Sequence, residues 1–372
     1  MPSIEEIKAE IARLDNEISA KTTSNVVEKA LAEVSDEDDG TVPVDILTYV
    51  SASWGLNEKP YPIQRFILKL IYGLPLDEGK PTIELWDRFR ERIERTYNEV
   101  EFLNYLYTDG RTNLSLEEHK KRWDPIRKLG SKFSTIVFRL GRRGTKTTLS
   151  QWITGYEVYR LLKMKSPQGY YGFRDVQPIR ITLVATGKEQ AQELLSPARA
   201  AIQKSPYLRR YVESDAQNKI GLTTEAARRA GLKGSAAGIS IQASPCSAKS
   251  LRGPANILAL LEEYGAFFWE LQGSNKSDKA IWTALEPSTS DFKDPVTHKV
   301  DGMVLIISTP LSKSSHMYKV EDEIRKELRP GLILNIPTEN EFNLSFNPFS
   351  LSTNLSVPMS PSNPFLNNSI HS

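Results

Sequence analysis

The sequence predicts an α/β protein, a mainly parallel sheet with helices on both faces, preceded by a helical N-terminal region and followed by a disordered C-terminal tail. Three observations carry this. From about residue 134, short apolar runs alternate with long polar-faced helical stretches. The runs are apolar at nearly every position, as in strands covered on both faces. The last 31 residues, Phe342–Ser372, contain no Asp, Glu, Lys or Arg and offer no periodic apolar face.

Composition narrows the class. A chain of 372 residues has room for two modest domains or one large one. With 39% hydrophobic and 25% charged residues it reads as an ordinary soluble globular protein. No apolar stretch approaches the roughly 20 residues of a membrane span, and the acidic N-terminus lacks a secretory pattern. One cysteine, Cys246, excludes a disulfide framework and a Cys-rich metal site. Four histidines without an HExxH-like pair argue against a zinc enzyme. A reducing, cytoplasmic compartment is expected. The net charge of +2 divides unevenly: residues 1–40 carry 11 acids and 4 bases, leaving an excess of +9 on the rest. Such an excess is compatible with a polyanionic partner.

Four segments follow along the chain. In residues 1–40, an acidic helix and linker, Ile4, Ile7, Ile11, Leu14 and Ile18 share one helical stripe, and Ser3 with Glu6 has the form of a capping box. The stripe fits a helix packed on the chain's own body or a partner-binding helix. Residues 41–133 read as mainly helical, with periodic runs at Ile63–Tyr72 and Thr82–Leu106; in the latter, Trp86, Phe89 and Ile93 keep steps of three and four. Residues 134–338 form the α/β core. Its strands are expected at Ser134–Leu140, Ile179–Ala185, Ile239–Ala243, Asn256–Leu261 and Met303–Ser308. Helices are expected at Thr147–Met164, Lys188–Lys204 and Ser315–Leu328. Residues 339–372 form the low-complexity tail.

The chemistry concentrates at strand ends. FRLGRRGTKTTLS, residues 138–150, runs from an apolar strand through a Gly- and Arg-rich turn into a helix opened by Lys146, Thr147 and Thr148. A phosphate-binding loop needs backbone amides free to face an anion, a lysine for the β/γ-phosphates and a hydroxyl for Mg²⁺, ahead of a positive helix end. The spacing departs from GxxxxGK[ST]: the glycines are Gly141 and Gly144, and Thr145 precedes the lysine. A basic strand–helix turn is the other reading of this spacing. Next, the apolar run Ile257–Leu261 ends in Glu262 and Glu263. Two acids after such a run often open a solvated helix. Following a lysine–threonine loop in one sheet pattern, they suit a carboxylate for the Mg²⁺ shell and another to polarise water, and so an ATPase. A third run, Val304–Ile307, ends in Ser308, Thr309 and Pro310.

These motifs resemble the large subunit of the DNA-packaging terminase of tailed phages, over roughly residues 45–338. Tyr61-Pro62-Ile63-Gln64-Arg65-Phe66 with the following YGLPL resembles the family's opening segment. GRRGTKTT is similar to its divergent Walker A loop, and ITLVATGKEQAQELL to the strand and helix that follow. Ser250-Leu251-Arg252-Gly253 ahead of ILALLEEYGAFF resembles its Arg-Gly loop and Walker B strand, and IISTP its coupling motif.

The resemblance implies a RecA-like, additional-strand P-loop ATPase that uses ATP and Mg²⁺ to move double-stranded DNA into a procapsid. It implies that Gln64 reads adenine with Tyr61 nearby, Lys146 binds phosphate, and Thr147 with Glu262, where the family usually has Asp, contacts the metal. It further implies Glu263 as catalytic base, Arg142 or Arg143 as a charge stabiliser within the subunit, and Ser308 and Thr309 as γ-phosphate sensors. Arg252 is implied as a finger toward a neighbouring subunit, a loop ion pair being its plainer reading. Implied partners are duplex DNA, the portal protein, the terminase small subunit and further copies in a ring on the capsid, in the host cytoplasm, with no membrane. The basic residues Arg199, Lys204, Arg209, Arg210, Arg228, Arg229 and Lys233 suit either a sequence-independent DNA grip or a solvated face. The family's nuclease domain has no counterpart in the acid-free stretch from Phe342, so no nuclease activity is expected. The competing functions are a helicase-like nucleic-acid ATPase and a catalytically inactive DNA- or portal-binding subunit.

Overall fold

Side chains of alternating residues on the apolar runs enter two separate cores, one on each face of a single sheet. Ile136, Phe138, Ile181, Leu183, Leu258, Leu260, Leu305 and Ile307 pack into one core. Val137, Val184, Ala259, Leu261, Val304 and Ile306 pack into the other. Period-two alternation between two buried faces is why the runs are apolar at nearly every position. The computed structural model describes residues 42–87, 92–108, 115, 117–118, 133–140, 146–164, 166–174, 176–232, 238–265, 277–308, 315–326, 329, 331–336 and 341–342.

The strands are β1 (Ile83–Asp87), β2 (Arg92–Tyr97), β3 (Thr135–Leu140), β4 (Ile179–Ala185), β5 (Val212–Ala216), β6 (Lys219–Thr223), β7 (Gly238–Pro245), β8 (Ala255–Glu262), β9 (Met303–Ile307), β10 (Gly331–Ile336) and β11 (Glu341–Phe342). The longer helices are α1 (Ile46–Ser51), α2 (Pro62–Tyr72), α3 (Glu99–Thr108), α4 (Lys146–Lys163), α5 (Lys188–Lys204), α6 (Asp278–Ser290) and α7 (His316–Arg325). The main sheet has the order β10-β3-β9-β8-β4-β7-β6-β5. It is parallel from β10 to β7, with β6 and β5 added antiparallel. β9 lies between β3 and β8, which makes it the additional strand, and the architecture is RecA-like as expected. All five expected strands are present.

The N-terminal helices brace α4. Pro62 at the first turn and Gly73 in the left-handed conformation (φ 67°) begin and end α2. Tyr156 donates to the Val44 carbonyl at 2.8 Å, Trp152 Nε1 to Glu58 Oε2 at 2.7 Å, and Tyr72 to Glu157 Oε1 at 2.8 Å. The middle of α4 is thereby tied to the N-terminal region.

Several expectations are corrected. The periodic run Thr82–Leu106 is not one helix: β1 and β2 pair antiparallel, and only α3 is helical. Ile93 is 44% exposed, so its spacing from Trp86 and Phe89 serves no buried helical face; β-branched and aromatic residues suit a strand there. The β5–β6 hairpin and β10 lie outside the expected strands. α7 ends at Arg325, three residues before the expected Leu328. In the tail, Phe342 pairs with Leu85 through β11, while residues 339–340 and 343–372 and the N-terminal Ile stripe lie outside the described residues. No helix among the described residues is long and apolar enough to cross a membrane.

Candidate functional site

Where the parallel strands end, a cleft of about 240 Å³ opens, lined by Thr147, Ala185, Thr186, Gln190, Glu193, Leu194, Pro197, Glu262 and Glu263. Ligands of open α/β sheets characteristically sit at this carboxyl edge. Lys146 is the first residue of α4 and Thr147 the second, so the unpaired N–H groups and positive end of an 18-residue helix are on the same side. From β4, Thr186 and Gly187 lead into α5, whose Gln190 and Glu193 form the opposite wall. Pro197 has no N–H for the Glu193 carbonyl four residues earlier.

The two acids at the end of β8 have different environments. Burial, with Glu263 adjacent, pushes the Glu262 carboxyl above its ordinary value; Lys146 opposes this and Glu193 adds to it. Glu263 is half exposed and its Oε1 lies 3.8 Å from Lys146 Nζ. It also adopts φ 51°, a left-handed conformation unusual outside glycine. Such backbone costs about 1–3 kcal/mol and persists where its surroundings enforce it. Here Glu263 N–H donates to the Ile307 carbonyl at 2.8 Å, and Gly265 N–H to Ser308 Oγ at 2.9 Å. Ser308 N–H in turn donates to the Phe138 carbonyl at 3.1 Å. The ends of β3, β8 and β9 are thus linked through one serine.

The structure brings Lys146, Thr147, Glu262 and Glu263 together; Thr148 follows on α4. Among the described residues, it does not bring Gln64, Tyr61, Ser308 or Arg252 to the cleft lining. Gln64 is buried and its Oε1 accepts the Tyr61 N–H at 2.8 Å, so it caps its own helix. Ser308 is fully buried and its hydroxyl serves the turn after Glu263. Arg252 is exposed three residues before β8, after a short helix Ala248–Leu251, and Gly253 makes the following turn at φ 96°. The strand separates it from Glu262 by roughly 23 Å at about 3.3 Å per residue. Gly141, Arg142, Arg143, Gly144, Thr145 and Thr309 lie outside the described residues. Of the basic stretch, Arg199 is paired with Asp215, Lys204 with Glu58 and Arg229 with Glu225. Arg210 lies over the rings of Tyr207 and Tyr211, and Arg228 donates to the Arg210 carbonyl.

A family model described as the N-terminal P-loop domain of uncharacterized protein MJ0330 matches residues 108–326, more than half of the chain. The chain belongs to this P-loop family. No curated protein matches it. Among solved structures, the P-loop chain is similar to the HK97 bacteriophage large terminase, at 18% identity and a TM-score of 0.37, over 64% of this chain and 42% of that one. It is also similar to S. cerevisiae Dbp5 bound to partner proteins, IP6 and ADP, at 13% identity and a TM-score of 0.30, over 63% of this chain and 52% of that one. The chain therefore spans less than two thirds of each.

Within the P-loop domain, the wall formed by Thr186, Gln190 and Glu193 is what the sequence reading missed. The only signal was position: these residues open the helix after an apolar strand, as Lys146 and Thr147 do.

Proposed function

We propose that this chain is the ATPase motor of a terminase large subunit, hydrolysing ATP to translocate double-stranded DNA into a procapsid. The observation that carries the ATPase reading is the convergence of Lys146, Thr147, Glu262 and Glu263 on one cleft, with an additional strand between the two strands that supply them. The packaging reading rests on the order of five motifs along the sequence.

The donor set fits Mg²⁺. The hydroxyl of Thr147 and the carboxylate of Glu262 line the same cleft, and hard oxygen donors suit that ion, which takes its other ligands from phosphate and water. Among the described residues no group of three His, Cys, Asp or Glu forms a complete metal site, in keeping with a metal that arrives with its nucleotide. When bound, Mg²⁺ would neutralise charge on the phosphates. Lys146 binds the β/γ-phosphates, exchanging Glu263 for a phosphate oxygen. Glu263, released and half exposed, accepts the proton of the attacking water. Arg142 or Arg143 stabilises transition-state charge in this scheme, whereas Gln64, buried and capping its own helix, is left out of it. Arg252, far from the cleft of its own subunit, serves a neighbour's, which calls for a ring of copies on the portal.

The experiment is steady-state ATP hydrolysis by the purified chain with and without duplex DNA, alongside an unwinding assay. Turnover stimulated by duplex DNA without strand separation supports the packaging motor. Unwinding of the duplex would replace it with a helicase-like ATPase. ATP binding with no turnover, even with DNA and portal, would leave a binding subunit.

A further inference from the structure

Beside the exposed Glu263, the next side chain turns the other way. Tyr264 is fully buried. Its hydroxyl donates to the carbonyl of Asp278 at 2.7 Å and lies 3.2 Å from Nδ1 of His316. A phenol has one proton, and the carbonyl takes it, so His316 Nδ1 carries a proton and donates to the Tyr264 oxygen. Asp278 is buried too. Its Oδ2 accepts the His316 backbone N–H at 2.5 Å and its Oδ1 the Lys279 N–H at 2.7 Å. The ring of Trp282 backs His316 at 5.8 Å between centroids. One phenol thus joins the end of β8 to the N-terminal ends of α6 and α7.

We propose that Tyr264, Asp278 and His316 are positioning residues that hold the left-handed turn at Glu263 and so aim its carboxylate into the cleft. The inference rests on the reading of Glu263 as the base. The backbone bonds to Ile307 and Ser308 tie the turn to β9 alone; the Tyr264 hydroxyl ties it to two helices and fixes its direction. Without that hydroxyl the turn can relax from its strained φ, and the carboxylate leaves its place while the phosphate-binding residues stay where they are.

The test uses the full chain and three variants, Tyr264→Phe, His316→Leu and His316→Asn, with kcat, ATP affinity and thermal stability measured for each. Tyr264→Phe and His316→Leu are expected to lower kcat about 10- to 100-fold, the scale of a misplaced catalytic group, with ATP affinity unchanged. His316→Asn, whose amide N–H replaces Nδ1–H, is expected to restore most of kcat. A crystal structure of Tyr264→Phe is expected to show Glu263 out of the positive-φ region. Wild-type kcat in folded Tyr264→Phe, or a retained turn in its crystal structure, would overturn the proposal. So would equal losses in His316→Asn and His316→Leu, which also serve if Tyr264→Phe does not fold. Glu263→Gln separates the two readings: full turnover in it sinks the base assignment, whereas its loss beside an active Tyr264→Phe sinks only the clamp.

Discussion

At its last residues β8 presents Glu262 and Glu263 to a cleft shared with Thr147 and within reach of Lys146, whereas just before its first residue it follows Arg252, exposed and at the opposite edge of the sheet. Between them the strand is buried throughout. The difference teaches what a single copy can do. The groups proposed to bind phosphate and activate water gather at one end, while Arg252 at the other end lies far from them. A rigid buried strand cannot fold back to close that gap, so an Arg252 that acts in catalysis acts between copies.

The sharpest way to break this comparison is Arg252→Ala. In an assembled ring the substitution is expected to lower turnover by about 10³–10⁵, the range of an arginine finger, and to leave the isolated chain's ATP binding intact. Turnover of the assembled complex is the measurement. An unchanged rate would reduce Arg252 to a solvated loop residue. The middle of β8 offers a second cut. Leu260→Ala, at a fully buried position facing the α4 and α5 side, is expected to cost about 2–5 kcal/mol of stability. Thermal or denaturant unfolding checks this, and ATP affinity of the remaining folded protein is expected to hold, since no cleft group moves.

The fold was legible where burial on both faces left an unbroken apolar run, as at Ile257–Leu261 and Val304–Ile307. It was illegible where strands are mostly exposed. β2 buries only Tyr97 and β5 buries none of its residues, so neither strand shows a core-facing pattern. The site was legible at Lys146, Thr147, Glu262 and Glu263 because each ends or follows an apolar run. Glu193 on the far wall looks like any solvated helix position until the sheet order places α5 over the cleft. The Tyr264–His316 contact spans 52 residues of sequence, and no local pattern joins them.

A smaller effect belongs to pH. Burial, partly opposed by Asp278, pushes the His316 imidazole below its ordinary value of 6.5. Folding therefore favours the neutral ring: its contribution is complete above about pH 6.5 and is lost as pH falls through the lower folded value. His316→Asn is expected to flatten the stability profile below about pH 6.5, read by unfolding at each pH.

Glu263 is proposed to activate water for ATP hydrolysis in this cleft. The most direct test of this role is ATP turnover at saturating nucleotide by wild type and Glu263→Gln, with binding measured on the same samples. Glu263→Gln is expected to bind ATP as wild type does and to lose turnover by about 10²–10⁴-fold, the usual contribution of a general base. Wild-type turnover in Glu263→Gln would contradict it.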